Sequence, residues 1–202
     1  MSDQEVPSVD QDEQAHLLRC GFGLEFVTLG WNVVGVVVLA VAAITAKSVA
    51  LGGFALDSLI EIGASTVVIW ELSGTGEVRR RRGLHIIGWA FIGLAVFLAV
   101  QSTWVLITRF HPHHSPLGIA WTAITAVVMF SLAAGKATVG AALDNPVLRT
   151  EGRVTFVDGM LATAVLVGLT LNAIAGWWWA EPVAGYLILF YGLKEGLAAV
   201  RD

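Results

Sequence analysis

The chain has 202 residues, of which 56% are hydrophobic and only 14% are charged, and its formal net charge is −4 at pH 7. Soluble domains carry about 25% charged residues, so this composition argues against a soluble domain and favours a bundle of membrane helices. The sequence has no extended basic face with interleaved aromatic residues, which argues against nucleic-acid binding. Cys20 is the only cysteine, which excludes an intrachain disulfide and a cysteine-based metal cage.

The N-terminal residues 1–18 are predominantly polar and acidic and lack the basic and apolar regions of a signal peptide. We interpret them as a disordered cytoplasmic tail, and residues 19–202 as one transmembrane domain. Six apolar segments in this domain predict membrane-spanning helices, at roughly residues 21–46, 49–72, 84–107, 117–134, 154–176 and 182–193. The predicted fold is therefore an all-α bundle of six transmembrane helices.

The first predicted span contains Glu25 and Asn32, which lie seven residues apart and therefore on similar faces of a helix. Glu25 is near the start of the span, where it either lies among the lipid headgroups or acts as a proton or ion relay. Asn32 is deeper, at a position typical of a residue that hydrogen-bonds to a neighbouring helix, and it is the second candidate for the relay.

The second predicted span carries two carboxylates, Asp57 and Glu61, inside the otherwise apolar or small sequence of residues 54–65. Residues four apart share a face of a helix, so both acids point the same way from the interior of the membrane. Acids at such positions are energetically costly and usually line an ion or proton path. The fifth predicted span adds a third intramembrane acid, Asp158, about one turn inside its start.

The basic residues set the predicted orientation, because Lys and Arg are enriched in cytoplasmic loops. Six spans place both termini on one side of the membrane. Only Lys47 and Arg109 of the 12 basic residues fall on the opposite side, so both termini are predicted to be cytoplasmic. The other ten include four consecutive arginines in the predicted loop at 79–82, and three residues in a predicted amphiphilic connection over 135–153, namely Lys136, Arg149 and Arg153.

The loop after the third predicted span contains three histidines within four positions, His111, His113 and His114. Such a cluster either captures metal ions or belongs to a solvated loop whose Pro and Ser residues mark a turn. The spacing implies no fixed coordination geometry, so both interpretations stay open.

The intramembrane acids also predict a chemistry. The second and fifth helices run in opposite directions in this topology, so packing them together brings Asp158 towards Glu61. Carboxylates grouped in a low dielectric cannot all stay ionised without a counter-cation, and a divalent metal ion removes that penalty by displacing protons. The acids therefore predict a site that exchanges metal ions for protons, and that becomes an antiporter when it opens alternately to the two sides. The alternative is a set of buried acids that only hydrogen-bond within the bundle.

The sequence LDSLIEIGAS at residues 56–65 resembles the second transmembrane helix of the cation diffusion facilitators, which carries a D/H-x-x-x-D metal pair in a D-S-L-x-D-I-G-A-S-like context. The six spans, the cytoplasmic termini and the order of the acids are also similar, over roughly residues 20–200. The resemblance implies proton-coupled efflux of divalent metals such as zinc, usually by homodimers. By the match, Asp57 and Glu61 would be metal ligands.

The resemblance is incomplete in two places. The fifth helix of the family usually supplies an H/D-x-x-x-D pair, whereas Asp158 is followed four residues later by Ala162, so Asp158 is either a third ligand or an acid that precedes that pair. The family's cytoplasmic metal-binding domain does not follow the last span, as expected of a shortened, divergent branch. No histidine lies deep in a span, and a site made only of oxygen ligands favours harder ions such as Mn²⁺, whereas the family favours Zn²⁺. The ion stays open among Zn²⁺, Mn²⁺, Fe²⁺ and Co²⁺.

The leading hypothesis is a divalent metal/proton antiporter of the cytoplasmic membrane rather than an enzyme. A second hypothesis is a non-transporting metal-binding or assembly subunit, which the incomplete pair in the fifth helix makes reasonable. A third is an intramembrane hydrolase, which needs two acids facing each other at about 3 Å. The sequence around Asp158 has no glycine-rich catalytic motif, which ranks the hydrolase last.

Overall fold

A computed structural model of the chain describes residues 8–46, 48–74, 77–109, 113 and 115–201. Within these residues the protein consists of helices without any strand. The helices are α1 (Ser8–Ala46), α2 (Val49–Leu72), α3 (Glu77–Thr108), α4 (Pro116–Ala142), α5 (Pro146–Ala175) and α6 (Ala180–Arg201). In this part of the chain, α1 to α5 each contain a segment long and apolar enough to cross a membrane. The predicted all-α membrane fold is thus confirmed.

Local sequence signals determine where several helices begin and end. The side chains of Ser48, Ser115 and Asn145 cap α2, α4 and α5 by accepting a hydrogen bond from the backbone N–H three residues later. In α4 and α5 a proline follows the cap, at a position where no helical N–H bond is lost. α5 ends at Gly176, whose φ of 67° is the left-handed conformation that glycine adopts readily.

The helices extend beyond the apolar segments that predicted them. α1 begins at Ser8, so residues 8–18 are helical, and the expectation of disorder was wrong for this part of the tail. The reason is composition: the segment contains Glu, Gln, Ala and Leu, which favour helices, and its acidic residues suit the N-terminal end of the helix dipole. Similarly, α3 begins at Glu77, so the arginines at 79–82 belong to a helix rather than a loop. α6 continues to Arg201 instead of ending near residue 193.

The amphiphilic connection predicted over residues 135–153 is also a correction. α4 continues to Ala142 and α5 begins at Pro146, so the two helices are joined by a tight turn at residues 143–145. Asp144 accommodates the turn with a φ of 46°, a conformation that Asp tolerates better than most residues. The charged residues of this segment therefore lie on two packed helices instead of a loop.

α5 lies at the centre of the bundle, where it contacts α2, α3, α4 and α6. α1 packs along α2 and also contacts α4, where the Trp31 and Trp121 rings stack with centroids 4.9 Å apart. α3 packs along α6 so closely that a Cβ atom added at Gly88 would lie 2.6 Å from Val200 and 3.1 Å from the carbonyl oxygen of Gly196. These contacts hold α2 and α5 side by side in the interior.

The outer faces of the helices are apolar. Large hydrophobic side chains are exposed at helical intervals along α1 and α3, among them Val33, Val37, Val41, Val96, Val100 and Trp104. Stripes of this length are far larger than the apolar patches of soluble monomers and suit contact with lipid. The core inside is mainly apolar, but buried charged residues lie between α1, α2, α4 and α5.

Candidate functional site

Polar side chains on facing sides of α2 and α5 form a ladder through the core. On α2 these are Asp57, Glu61 and Ser65, and on α5 they are Glu151, Thr155 and Asp158. Spacings of three and four residues place each set on one face of its helix, and all six residues are buried. Because the helices are antiparallel, the two sets meet in opposite order. We call these six residues the carboxylate ladder.

The rungs of the carboxylate ladder are formed by direct contacts. Ser65 Oγ donates a hydrogen bond to Glu151 Oε1 at 3.3 Å. Thr155 Oγ1 lies 2.6 Å from Glu61 Oε1 and 3.2 Å from Glu151 Oε1, and its single proton is best placed to serve the shorter contact. At the third rung Asp57 and Asp158 interact electrostatically, so their carboxyl groups are neighbours in the core.

A buried lysine adjoins the carboxylate ladder. Lys136, on α4, is fully buried, and its Nζ atom lies 2.6 Å from the Glu151 carboxylate. The same ammonium donates to Thr155 Oγ1 at 3.0 Å and to Glu25 Oε2 on α1 at 3.2 Å. Four helices thus contribute to one connected polar network, and the ammonium supplies its fixed positive charge.

The Asp57–Asp158 rung differs from the other two because it lacks a hydrogen-bond donor. Neither carboxyl oxygen of Asp158 has a hydrogen-bond partner, and neither does Asp57 Oδ2, although all three atoms are buried. Two facing carboxylates in a low dielectric repel each other unless a proton or a cation lies between them. An added positive charge at this rung would therefore stabilise the protein.

The charge balance of the network leads to the same conclusion. It contains five buried acids and one buried lysine, the acids being Glu25, Asp57, Glu61, Glu151 and Asp158. Each uncompensated charge at the centre of a membrane helix costs about 2.5–3.5 kcal/mol or more. Lys136 neutralises at most one acid, so the others must hold protons or share a bound cation. An arrangement of this kind can exchange one for the other.

The structure brings the three acids predicted to bind metal into one part of the core. Helices α2 and α5 are in contact, as the prediction required. Asp158 interacts electrostatically with both Asp57 and Glu61, and Glu61 is also held by Thr155. Across the described residues, no three His, Cys, Asp or Glu side chains already surround a common point suited to a metal ion.

The other predicted site residues have separate outcomes. Glu25 is buried within the bundle and paired with Lys136, so its carboxylate faces the polar network rather than the lipid. Asn32 is buried but donates its side-chain hydrogen bond to the carbonyl of Thr28 within α1. His113 is exposed, and its backbone N–H bonds to the Ala46 carbonyl at 3.0 Å. The other two members of the predicted capture loop, His111 and His114, lie outside the described residues.

Sequence reasoning missed Lys136, Glu151 and Thr155 as members of the site. All three fall in or beside the segment that was assigned to a connection, because charged residues interrupt the apolar pattern there. A signal was nevertheless present: Glu151, Thr155 and Asp158 recur at intervals of four and three residues, which places them on one helix face, as the four-residue intervals do for Asp57, Glu61 and Ser65.

Comparisons with known proteins agree with this architecture. Residues 84–202 match the model of the cation efflux transmembrane domain. This region includes most of α3 and all of α4 to α6, and therefore Lys136, Glu151 and Asp158, whereas α2 lies before it. The chain is also 24% identical over 174 residues to Transmembrane protein 163 of Xenopus laevis. That alignment covers 82% of this chain and 62% of the length of the relative.

Proposed function

Because the chain belongs to the cation efflux family, we propose that it moves divalent metal cations across a membrane through the carboxylate ladder. The observation that carries the proposal is the rung between Asp57 and Asp158, where three buried carboxyl oxygens have no donor. A divalent cation between Asp57 and Asp158 would place positive charge next to both carboxyl groups at the same time. Protons can also neutralise these carboxyl groups, so protons and divalent cations compete for the same oxygen atoms.

We place the cation between Asp57 and Asp158, with Glu61 as the third ligand. Glu61 lies one helical turn from Asp57, and electrostatic interactions link it to Asp158 and Lys136. To reach the ion, its carboxylate must give up the 2.6 Å contact with Thr155. Binding of the cation therefore requires that the hydrogen bond between Thr155 and Glu61 breaks. When the cation leaves, this hydrogen bond can form again.

Proton coupling is the second part of the proposal. When the site is empty, protons reduce the repulsion among its acids, and an arriving divalent ion displaces them. If the bundle exposes the site to each side in turn, metal leaves the cytoplasm as protons enter. Flux should therefore fall when the pH on the loading side is lowered, because protons then compete for the same oxygens.

The ligands bear on the choice of ion. Asp57, Glu61 and Asp158 offer only oxygen atoms, a set that suits Mn²⁺, while Zn²⁺ bound to three carboxylates and water is also chemically reasonable. Fe²⁺ and Co²⁺ are intermediate between Mn²⁺ and Zn²⁺ in how well they suit a site made only of oxygen ligands. We propose that the site accepts one or more of these divalent ions, and a selectivity series identifies which.

The membrane arrangement belongs to the same proposal. We propose that α6 crosses the membrane together with α1 to α5, that both termini are cytoplasmic, and that the protein works as a homodimer in the cell membrane. With the buried Lys136 left out, nine of the other 11 basic residues fall on the side of the termini, which supports the orientation. Reporter fusions at each terminus test it, and signals from opposite sides of the membrane would exclude an even number of spans.

The decisive experiment is metal-driven proton movement in proteoliposomes, with Zn²⁺, Mn²⁺, Fe²⁺, Co²⁺ and Cd²⁺ supplied in turn. Asp57→Asn keeps the shape of the side chain but removes a charge, and we expect it to abolish the flux. Leu59→Val is the matched control, since Leu59 is on the same helix and 50% exposed on its outer side. Flux that survives in folded Asp57→Asn protein would refute the proposal.

A second function is a non-transporting metal-binding or assembly subunit. It is favoured by the incomplete acid pair of α5, where Asp158 is followed four residues later by Ala162. This function predicts metal binding that depends on Asp57 but no proton-coupled flux with any ion. Isothermal titration of the same proteins used in the liposomes separates the two functions.

A further inference from the structure

We propose that Glu25, Glu151 and Thr155 form a second cation site, which the ammonium group of Lys136 occupies in place of a metal ion. Three oxygen-bearing side chains from two helices converge on Lys136 Nζ, at 2.6 Å from Glu151, 3.0 Å from Thr155 and 3.2 Å from Glu25. All four residues are 0% exposed. An ion bound by protein oxygens would have the same kind of surroundings.

The oxygen atoms at this position exceed what the ammonium can satisfy. Lys136 has three N–H donors, and Glu25, Glu151 and Thr155 each receive one. Glu25 Oε1 remains buried without a hydrogen-bond partner. Ser65 Oγ, which reaches Glu151 Oε1 at 3.3 Å, adds another oxygen nearby. A hard divalent ion binds six or more oxygen atoms and would engage the carboxyl oxygens that the ammonium leaves unused.

The charges also fit a metal ion better than a lysine. Glu25 and Glu151 together carry two negative charges when ionised, and Lys136 supplies a single positive charge. A divalent ion in its place would balance the pair completely. Ligands limited to carboxylate and hydroxyl oxygens favour a hard ion such as Mn²⁺.

The consequence for transport rests on the proposed function. A covalently attached ammonium cannot leave the protein, so it provides permanently the charge that a second bound ion would otherwise bring. Lys136 therefore restricts the bundle to one exchangeable divalent cation, the ion bound by Asp57 and Asp158. In this interpretation Lys136 determines how many divalent cations the protein binds.

The test is the number of Mn²⁺ ions that the purified full-length protein binds, counted from the loss of the free-ion signal in electron paramagnetic resonance. Lys136→Met removes the charge but keeps much of the volume of the side chain. We expect this variant to bind about one more Mn²⁺ per chain than wild type, and Mn²⁺ to raise its thermal midpoint. Lys194→Met removes an exposed lysine from α6 and should leave the count unchanged.

The added ion must depend on the proposed ligands. Glu151→Gln combined with Lys136→Met should lose the extra Mn²⁺, whereas Asp57→Asn combined with Lys136→Met should keep it. The second double variant separates this inference from the proposed function, because it tests the new site while the Asp57–Asp158 site is disabled. A Lys136→Met protein that folds and gains no Mn²⁺ would overturn the inference.

Folding of Lys136→Met is itself informative, because the variant leaves two buried acids without their counter-charge. Glu25→Gln combined with Lys136→Met preserves the net charge of the cluster and should fold without added metal. If this matched protein folds, while Lys136→Met cannot be recovered at any Mn²⁺ concentration, a metal ion cannot replace the ammonium and the inference is wrong.

Discussion

Thr155 Oγ1 lies 2.6 Å from Glu61 Oε1, and this contact joins two parts of the protein that have different electrostatic roles. On one side is the acid that faces the proposed transport site. On the other is Lys136, whose Nζ atom lies 3.0 Å from the same hydroxyl. Thr155 is thus the bridge between the exchangeable charges at Asp57 and Asp158 and the fixed charge of the lysine.

Replacing Thr155 with Val should separate these two parts while keeping the shape of the side chain. We expect metal affinity to fall roughly tenfold, as is typical when a group that orients a ligand is removed. The free energy of unfolding should fall by about 1–3 kcal/mol, because buried acceptors lose their partner. Calorimetric titration and thermal unfolding in detergent measure the two effects.

Thr163→Val provides the matched control for Thr155→Val. Thr163 is on the same helix, and its hydroxyl bonds to the Gly159 carbonyl, four residues back in α5. This control should bind metal normally, and Thr155→Ser should recover most of the affinity. Equal losses in Thr155→Val and Thr163→Val would show that the effect comes from the helix and not from the bridge.

Asp158→Asn should make the protein inactive without making it less stable. The amide can donate a hydrogen bond to Asp57, whose Oδ2 atom has no partner, and it removes the repulsion between two facing carboxylates. We therefore expect an unchanged or higher thermal midpoint, together with a loss of metal-driven flux. A lower midpoint with normal flux would indicate that Asp158 has a structural role only.

Asn145 connects the turn between α4 and α5 to the end of α2. Its Oδ1 atom caps α5 by accepting from Leu148 N at 2.9 Å, and its Nδ2 atom donates to Glu71 Oε2 at 2.9 Å. Loss of a cap costs about 1 kcal/mol, and leaving the carboxylate of the buried Glu71 without its donor adds to that cost. Asn145→Ala should therefore lower the free energy of unfolding by more than Ser115→Ala, which removes a cap alone.

Asn145→Asp separates the two contributions of that side chain. It keeps an oxygen that can cap α5 but places a second carboxylate against Glu71. We expect a loss of stability at neutral pH that becomes smaller in acid, where the two carboxylates are no longer both charged. If Asn145→Asp is as stable as wild type at neutral pH, the contact with Glu71 contributes nothing measurable.

Gly88 and Gly93 allow a test of the close packing between α3 and α6. An added Cβ atom at Gly88 would lie 2.6 Å from Val200, whereas nothing is within 4 Å of such an atom at Gly93. Gly88→Ala should destabilise the protein by about 1–3 kcal/mol through overpacking. Gly93→Ala should be neutral or stabilise it by up to about 1 kcal/mol, because Ala favours a helix. Thermal unfolding of both variants in the same detergent measures the difference. Equal midpoints would contradict the close packing of α3 against α6 at Gly88.

Prediction from the sequence was most successful where acidic residues lie within an otherwise apolar helical segment. Asp57 and Glu61 were predicted to share a buried face of a helix, and they do. Asp158 was correctly expected on a helix that packs against them. The sequence left open whether Asp57 or Glu61 is its main partner, because the register of two helices depends on how all their side chains interlock and not on the spacing within either one.

Lys136 was missed for a different reason. A lysine next to the end of an apolar segment usually marks the membrane surface, and hydropathy cannot distinguish that position from a buried one. What decides is the presence of Glu25 and Glu151 nearby in space, 111 and 15 residues away in sequence. Pairs at these sequence separations leave no local pattern in the sequence, so only the fold shows that Lys136 is the counter-charge of the site.

The short turn at residues 143–145 has a consequence for how the protein is inserted during synthesis. It places Lys136 and Glu151 on the two arms of one helical hairpin, so their opposite charges can neutralise each other as soon as the second arm emerges. Asp158 has no such partner in the hairpin, since Asp57 belongs to a helix made earlier. We therefore expect assembly in two stages: the hairpin enters the lipid with its own neutral pair, and the two aspartates meet only when the hairpin docks against α2.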